Sequence, residues 1–384
     1  FFLNYSSLVR PMSSDLIYNQ PIVIDNGTGI IKADFAGEQD PRVVFSSCVG
    51  RPKHRRLMTS SLVGDTFVGK TVEEHRGLMK LSFPMEHGIV QDWDDMRRVW
   101  SHIFDQEPLN VPVEHHPILL TEAPLNPRKH RERAAEIFFE EFKVPALFFS
   151  PQALLSLYAS GRTTGVVLDV GDGVSHVVPV YQGYALQHGI RRSDVAGRDV
   201  TRRLQLLLRK AGYTFHTSAE LEIVRDMKEQ MCFVRMPMDA ERESTDKYRL
   251  PDKSIVELDS ERHEAPEVLF NPELVGLEYP GIHRCVADAV MSADIDLRPK
   301  LCSDIVLAGG STLFPGFGDR LLNEVHALMS RDTKLRIYAP PNRHLSTWIG
   351  GSILASLATF KSMWVRRADF AEEGGRALLH SKSL

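Results

Sequence analysis

The sequence predicts an α/β protein built from two structurally related halves that face each other across a cleft. Three observations predict it. At 384 residues with 43% hydrophobic content, the chain exceeds what one ordinary core accommodates, so two domains or one bilobed body is expected. One text, apolar strand then Asp-x-Gly-x-Gly then apolar strand, occurs twice. A third glycine pair follows another apolar strand and precedes a helix.

In the first copy, Pro21-Ile22-Val23-Ile24 ends in Asp25, and Asn26-Gly27-Thr28-Gly29 turns the chain into Ile30-Ile31-Lys32-Ala33. In the second, Gly165-Val166-Val167-Leu168 ends in Asp169, and Val170-Gly171-Asp172-Gly173 leads into Val174-Ser175-His176-Val177. Each reads as a β-hairpin, and one alone is an ordinary turn. Repetition points instead to equivalent loops presented to one cleft.

Glycines let backbone N–H groups approach phosphate oxygens, so one such loop per half can grip a polyphosphate from both sides. Asp25 and Asp169 would repel phosphate and therefore need a cation between, most simply hydrated Mg²⁺. Lys32, in the strand after the first turn, is placed to offset phosphate charge. The third site, Asp304-Ile305-Val306-Leu307-Ala308 entering Gly309-Gly310-Ser311-Thr312 before a helix that includes Asp319 to Leu328, reads as a nucleoside platform. Between the halves, Ser150 reads as an N-cap, Pro151 as the first helical residue and Gly161 as the terminator, which sets Gln152 in the first turn. Gln152 can orient a water toward a terminal phosphate without titrating, and His176 can position the same water.

Composition narrows the rest. The 46 basic and 50 acidic residues nearly cancel, so no global field gathers nucleic acid or an anionic membrane. Apolar stretches such as Ile349 to Leu357 fall short of the ~18 residues of a membrane span, and direct insertion is not expected. Cys48, Cys232, Cys285 and Cys302 form no CxxC pair, which predicts neither zinc site nor disulfide framework and suits a reducing, cytosolic setting. Residues 1–19 read as a tail in which Met12 is a candidate initiator. Arg51-Pro52-Lys53-His54-Arg55-Arg56 reads as a solvated loop, His115-His116 lacks matching ligands, and Asn126 to Phe142 reads as a packed amphipathic helix.

Beyond the two loops, Phe83-Pro84-Met85-Glu86-His87-Gly88-Ile89-Val90, Leu120-Thr121-Glu122-Ala123-Pro124-Leu125-Asn126-Pro127, Ser156-Leu157-Tyr158-Ala159-Ser160-Gly161-Arg162-Thr163-Thr164-Gly165 and Trp348-Ile349-Gly350-Gly351-Ser352-Ile353-Leu354-Ala355-Ser356-Leu357 are long, specific motifs. With them the chain resembles actins and actin-related proteins from about Asn19 to Trp364. Within that family, Ser311-Thr312-Leu313-Phe314 and Gly316-Phe317-Gly318-Asp319-Arg320-Leu321 most resemble the actin-related protein of the dynactin filament.

The resemblance implies a duplicated actin-like ATPase fold of two RNase H-like domains, residues 20–159 with 346–384 and residues 160–345. It implies ATP and Mg²⁺ as ligands. Asp25, Asp169 and Gln152 would surround the metal and its waters, and the amides of Gly27, Thr28, Gly29, Gly171, Asp172 and Gly173 would hold phosphates. Lys228, Glu229, Gly309, Gly310 and Phe314 would border the nucleoside. It further implies slow ATP hydrolysis coupled to assembly, self-association into a short filament through a region that includes Arg51 to Thr66, and a cytoplasmic, cytoskeletal setting. Dynactin subunits, dynein and cargo adaptors are the implied partners, and nucleic acid is not. A conventional or divergent actin, or a nuclear subunit of a chromatin remodeller, is the alternative; a sugar kinase would want a carboxylate where Gln152 stands. Two departures stand out. His344 replaces a basic residue, and Val170 replaces the usual serine, which should remove a hydrogen bond to the γ-phosphate.

Overall fold

The computed structural model describes residues 19–53, 64–105, 109–236, 245–372 and 375–382. The expected tail, except its last residue, and most of the segment from Arg51 to Thr66 lie outside the described residues.

Continuous apolar runs become strands buried on both faces, as central strands covered on both sides must be. In the first half, β1 (Ile22–Asn26) is wholly buried and pairs antiparallel with β2 (Ile30–Phe35), which pairs with β3 (Val43–Ser46). On its other edge β1 runs parallel to β4 (Ile118–Glu122), and β4 to β5 (Ala146–Pro151). In the second half, β6 (Gly165–Val170) pairs antiparallel with β7 (Ser175–Tyr181), and β7 with β8 (Arg191–Ser193). There β6 runs parallel to β9 (Ile305–Ala308), and β9 to β10 (Ile337–Tyr338). The connections of β1 to β5 are thus repeated, strand for strand, by β6 to β10, and the expected duplicated α/β fold is present. A last strand, β11 (Val365–Arg366), returns to pair with β5.

The halves are joined through helices. Helix α1 (Gln152–Ala159) places Leu155 in the core with Val23, Leu119 and Trp348, while Ala153, Leu154 and Leu157 pack with Val167 and Val306. One short helix therefore serves both sheets. The second half supplies α2 (Gly197–Lys210), α3 (Ser218–Met231) and α4 (Phe317–Leu328), the last covering the helix expected from Asp319. Thr217 and Glu220 form a reciprocal capping box that fixes the start of α3. Helix α5 (Ser346–Ser356) crosses α1 at Gly350, where a Cβ would lie 1.8 Å from the Leu155 carbonyl oxygen. No residue larger than glycine fits that crossing.

Two local expectations change. Ser150 is not a helix cap: pairing with β4 continues to Pro151 opposite Glu122, so Ser150 is a buried strand residue and α1 starts at Gln152. The amphipathic segment is α-helical from Arg128–Glu136 and then widens into a π-turn, Ile137–Glu141, that buries Ile137, Phe138 and Phe139. No described helix is long and apolar enough to cross a membrane.

Candidate functional site

A cavity of about 430 Å³ opens between the halves, and every residue expected to hold metal, phosphate, nucleoside or water lines it. Its roof is the meeting of the two hairpin turns. A Cβ on Gly29 would lie 2.7 Å from Asp172 Cβ, and one on Gly173 would lie 2.5 Å from Thr28 Cγ2. The last glycine of each loop thus makes room for the middle residue of the other.

Those middle side chains are tied away from the cavity's amides. Gly88 N donates to Thr28 Oγ1 at 3.0 Å, and Arg198 holds the Asp172 carboxylate at 3.0 Å. The backbone carries the binding potential. Gly27 N donates to Asp25 O at 3.1 Å and Gly171 N to Val174 O at 3.1 Å. The amides of Thr28, Gly29, Asp172 and Gly173 donate to no acceptor among the described residues. Four such donors on facing turns make an anion-binding nest.

Below them the two aspartates end their strands. Asp25 stands opposite Lys32 in the ladder, and Lys32 Nζ reaches Asp25 Oδ2 at 2.8 Å. Thr121 Oγ1 donates to Asp25 Oδ1 at 3.0 Å and Gln152 Nε2 at 3.3 Å. Asp169 occupies the equivalent position opposite His176, but His176 Nε2 lies 3.7 Å from Asp169 Oδ2, too far for a hydrogen bond. Burial, then the charge of Asp25, pushes the Asp169 carboxyl up to about 7, against the pull of Lys32. Burial, then Arg192, holds His176 down to about 3, so the imidazole is neutral at neutral pH. Neither of its ring nitrogens has a hydrogen-bond partner among the described residues. Buried polar atoms left this way call for water or an ion. No cluster of three or more ligating side chains is assembled among the described residues, so a cation here would rest on two carboxylates, waters and ligand oxygens, which fits Mg²⁺.

At the far end, Gly309 has φ +85°, and a Cβ there would lie 2.3 Å from Val170 O and 2.5 Å from Asp169 Oδ1. Only glycine turns the chain from β9 this close to β6. Gly310 and Phe314 continue the wall, and α3 contributes Lys228 and Glu229. Lys228 is buried, donates to Gly197 O at 3.2 Å, and has its ammonium held below the ordinary lysine range chiefly by that burial. Arg225, Leu313, Pro315 and Thr347 also line the cavity without having been expected. Arg225 was within reach, because it stands one helical turn before Lys228 and Glu229 on the same face. Thr347 owes its place to the α1–α5 crossing and left no local signal.

Val170 does not line the cavity. Its side chain is fully buried with Val166 and Leu168 in the core of the second half, because alternate strand residues face opposite ways and Asp169 takes the cleft side. A missing hydroxyl at 170 is therefore not missing from the phosphate site. Arg51, at the head of the basic run, forms a two-pronged pair with Asp95 at 2.5 and 2.9 Å, while residues 54–56 of that run are outside the described residues.

Comparison with known sequences follows the same lines. The family model described as Actin matches residues 17–383. A curated relative, "Actin-like protein" of Neurospora crassa, is 55% identical over 380 residues, covering 96% of this chain and 99% of that protein.

Proposed function

This chain belongs to the actin family, and from that premise we propose that it binds ATP with Mg²⁺ and assembles as a centractin-like subunit of a short dynactin-type filament that supports dynein-driven transport. Members of the family generally bind nucleotide with a divalent metal and self-associate into filaments. The observation that carries the nucleotide reading is the pair of interlocked turns, with four uncommitted amides above two carboxylates. We read the two domains as residues 20–159 with 346–384 and residues 160–345, with the cleft between them.

In this reading the amides of Thr28, Gly29, Asp172 and Gly173 grip the phosphates, and Lys32 offsets their charge. Asp25 and Asp169 hold the metal through its waters, with Gln152 beside them. The cation supplies charge neutralisation and orientation of the phosphates. Gln152 and the neutral His176 hold a water toward the terminal phosphate, and slow hydrolysis follows. Lys228, Glu229, Gly309, Gly310 and Phe314 border the nucleoside. Gln152→Ala is expected to leave ATP affinity intact while slowing phosphate release, and an unchanged hydrolysis rate would put the water elsewhere.

The dynactin assignment rests on the resemblance of Ser311 to Phe314 and Gly316 to Leu321, and the cytoplasmic setting goes with it. The remodeller reading loses support because Arg51, which begins its basic run, is committed to Asp95. Affinity purification of the full chain tests the assignment. Recovery of dynactin subunits supports it, and recovery of cofilin-like or remodeller partners overturns it.

A further inference from the structure

His344 lines the cavity and keeps contact with solvent, and its ring makes no hydrogen bond or ion pair among the described residues. Its backbone is nonetheless fixed. The preceding Arg343 donates from Nε to Thr312 Oγ1 at 2.9 Å and from Nη2 to Thr312 O at 2.7 Å, while Gly309 N donates to Arg343 O at 3.2 Å. The glycine platform and helix α5 thus hold a free imidazole at the cavity wall.

Lys32, on β2 at the phosphate end, lines the same cavity and its charge acts on the ring, while at the nucleoside end Gly309 N donates to the carbonyl of the preceding Arg343. The ring thus lines the one cavity that Lys32 and Gly309 also line, in which a nucleotide would lie. We propose that His344 is a protonation-dependent contact for the anionic part of a bound nucleotide, so that nucleotide affinity rises as pH falls through the neutral range. The inference rests on the nucleotide reading and deepens it.

The sign follows from the groups facing the ring. Partial burial comes first, then Lys32 and Arg343, in holding the imidazole below the ordinary histidine range, and Asp40 opposes them. Without ligand His344 is mostly neutral at neutral pH. A bound polyphosphate brings negative charge, raises the affinity of the ring for a proton, and accepts a hydrogen bond from the imidazolium. Binding takes up a proton, and by linkage a higher proton concentration tightens binding. A permanently charged lysine at this position would grip the nucleotide without that dependence.

The test is equilibrium competition of ATP and of ADP against a fluorescent ATP analogue in Mg²⁺, from about pH 6 to 8, the range in which histidine switches. Wild type, His344→Gln and His344→Lys are compared at each pH, so that titration of the nucleotide's own phosphate cancels. Wild type is expected to gain about fivefold in affinity over His344→Gln on going to the acid end, the size of a partly exposed ion pair. His344→Lys should bind tightly with no such gain. Calorimetry in buffers of different ionisation enthalpy should count proton uptake in wild type and less in His344→Gln. Parallel pH profiles for wild type and His344→Gln overturn the inference while leaving the nucleotide reading intact. No nucleotide binding at any pH in all three proteins would sink both.

Discussion

The two hairpins are copies in register and opposites in electrostatics. Asp25 stands across the ladder from Lys32, and Asp169 stands across it from His176. Asp25 has an ammonium, a hydroxyl and an amide within hydrogen-bond range; Asp169 has a neutral ring that does not reach it. One side of the cleft is therefore satisfied without ligand and the other is not. A duplicated motif reproduces backbone geometry, but the residue opposite each aspartate decides whether its charge is tolerated before a cation arrives.

Neutralising each aspartate in metal-free protein tests whether the two hairpins differ. Asp25→Asn leaves Lys32 without its partner in a nearly buried site and should cost about 3–5 kcal/mol in urea unfolding. Asp169→Asn removes a carboxyl that burial already disfavours, and at neutral pH it should leave stability unchanged or raised. Both should lose the thermal stabilisation that Mg·ATP gives wild type. Equal destabilisation by the two substitutions would show that the halves are not electrostatically distinct.

The shared backbone geometry predicts a symmetric effect instead. Gly29→Ala and Gly173→Ala should each cost about 1–3 kcal/mol, because either Cβ forces the facing loop away. Only the second should be eased by trimming its neighbour, through Thr28→Ser, which removes the Cγ2 that the new methyl would strike. If Thr28→Ser does not relieve Gly173→Ala, the turns do not interlock as described.

Within the second hairpin, the pH dependence of metal-free protein separates the two buried groups. Asp169 is raised from 3.8 to about 7, so the stability its neutral form gives is full at low pH and is lost as pH rises toward 7. His176 is lowered from 6.5 to about 3, so its contribution is full above 6.5 and is lost as pH falls toward 3. Each can contribute at most about 1.4 kcal/mol per pH unit, and in wild type the slopes oppose one another. Urea unfolding of His176→Gln between pH 4 and 6.5 should expose stability that falls as pH rises, and Asp169→Asn the reverse. Identical slopes in the two variants would contradict the assignment.

The smallest expected effect is a null one. Val170→Ser should leave the ratio of ADP to ATP dissociation constants unchanged, since the side chain points into the core, while an unsatisfied buried hydroxyl costs about 1–3 kcal/mol. A sharpened preference for ATP would mean that residue 170 reaches the phosphates after all.

The two hairpins, the aspartate at the end of each leading strand, the glycine platform and the residues expected around the cleft could all be read from the amino-acid sequence. Those features are written locally, because turn chemistry and strand alternation depend on neighbours a few positions away. The same alternation already held the answer for Val170: if Asp169 faces the cleft, the next side chain faces the core. Packing in three dimensions settles which amides are left free, brings Arg225 to the wall with Lys228 and Glu229, and carries Thr347 there through a helix crossing closed by Gly350. Only it separated Asp25 from Asp169, since burial and the reach of Lys32, Thr121 and Gln152 depend on which surfaces fold against one another rather than on the text around each aspartate.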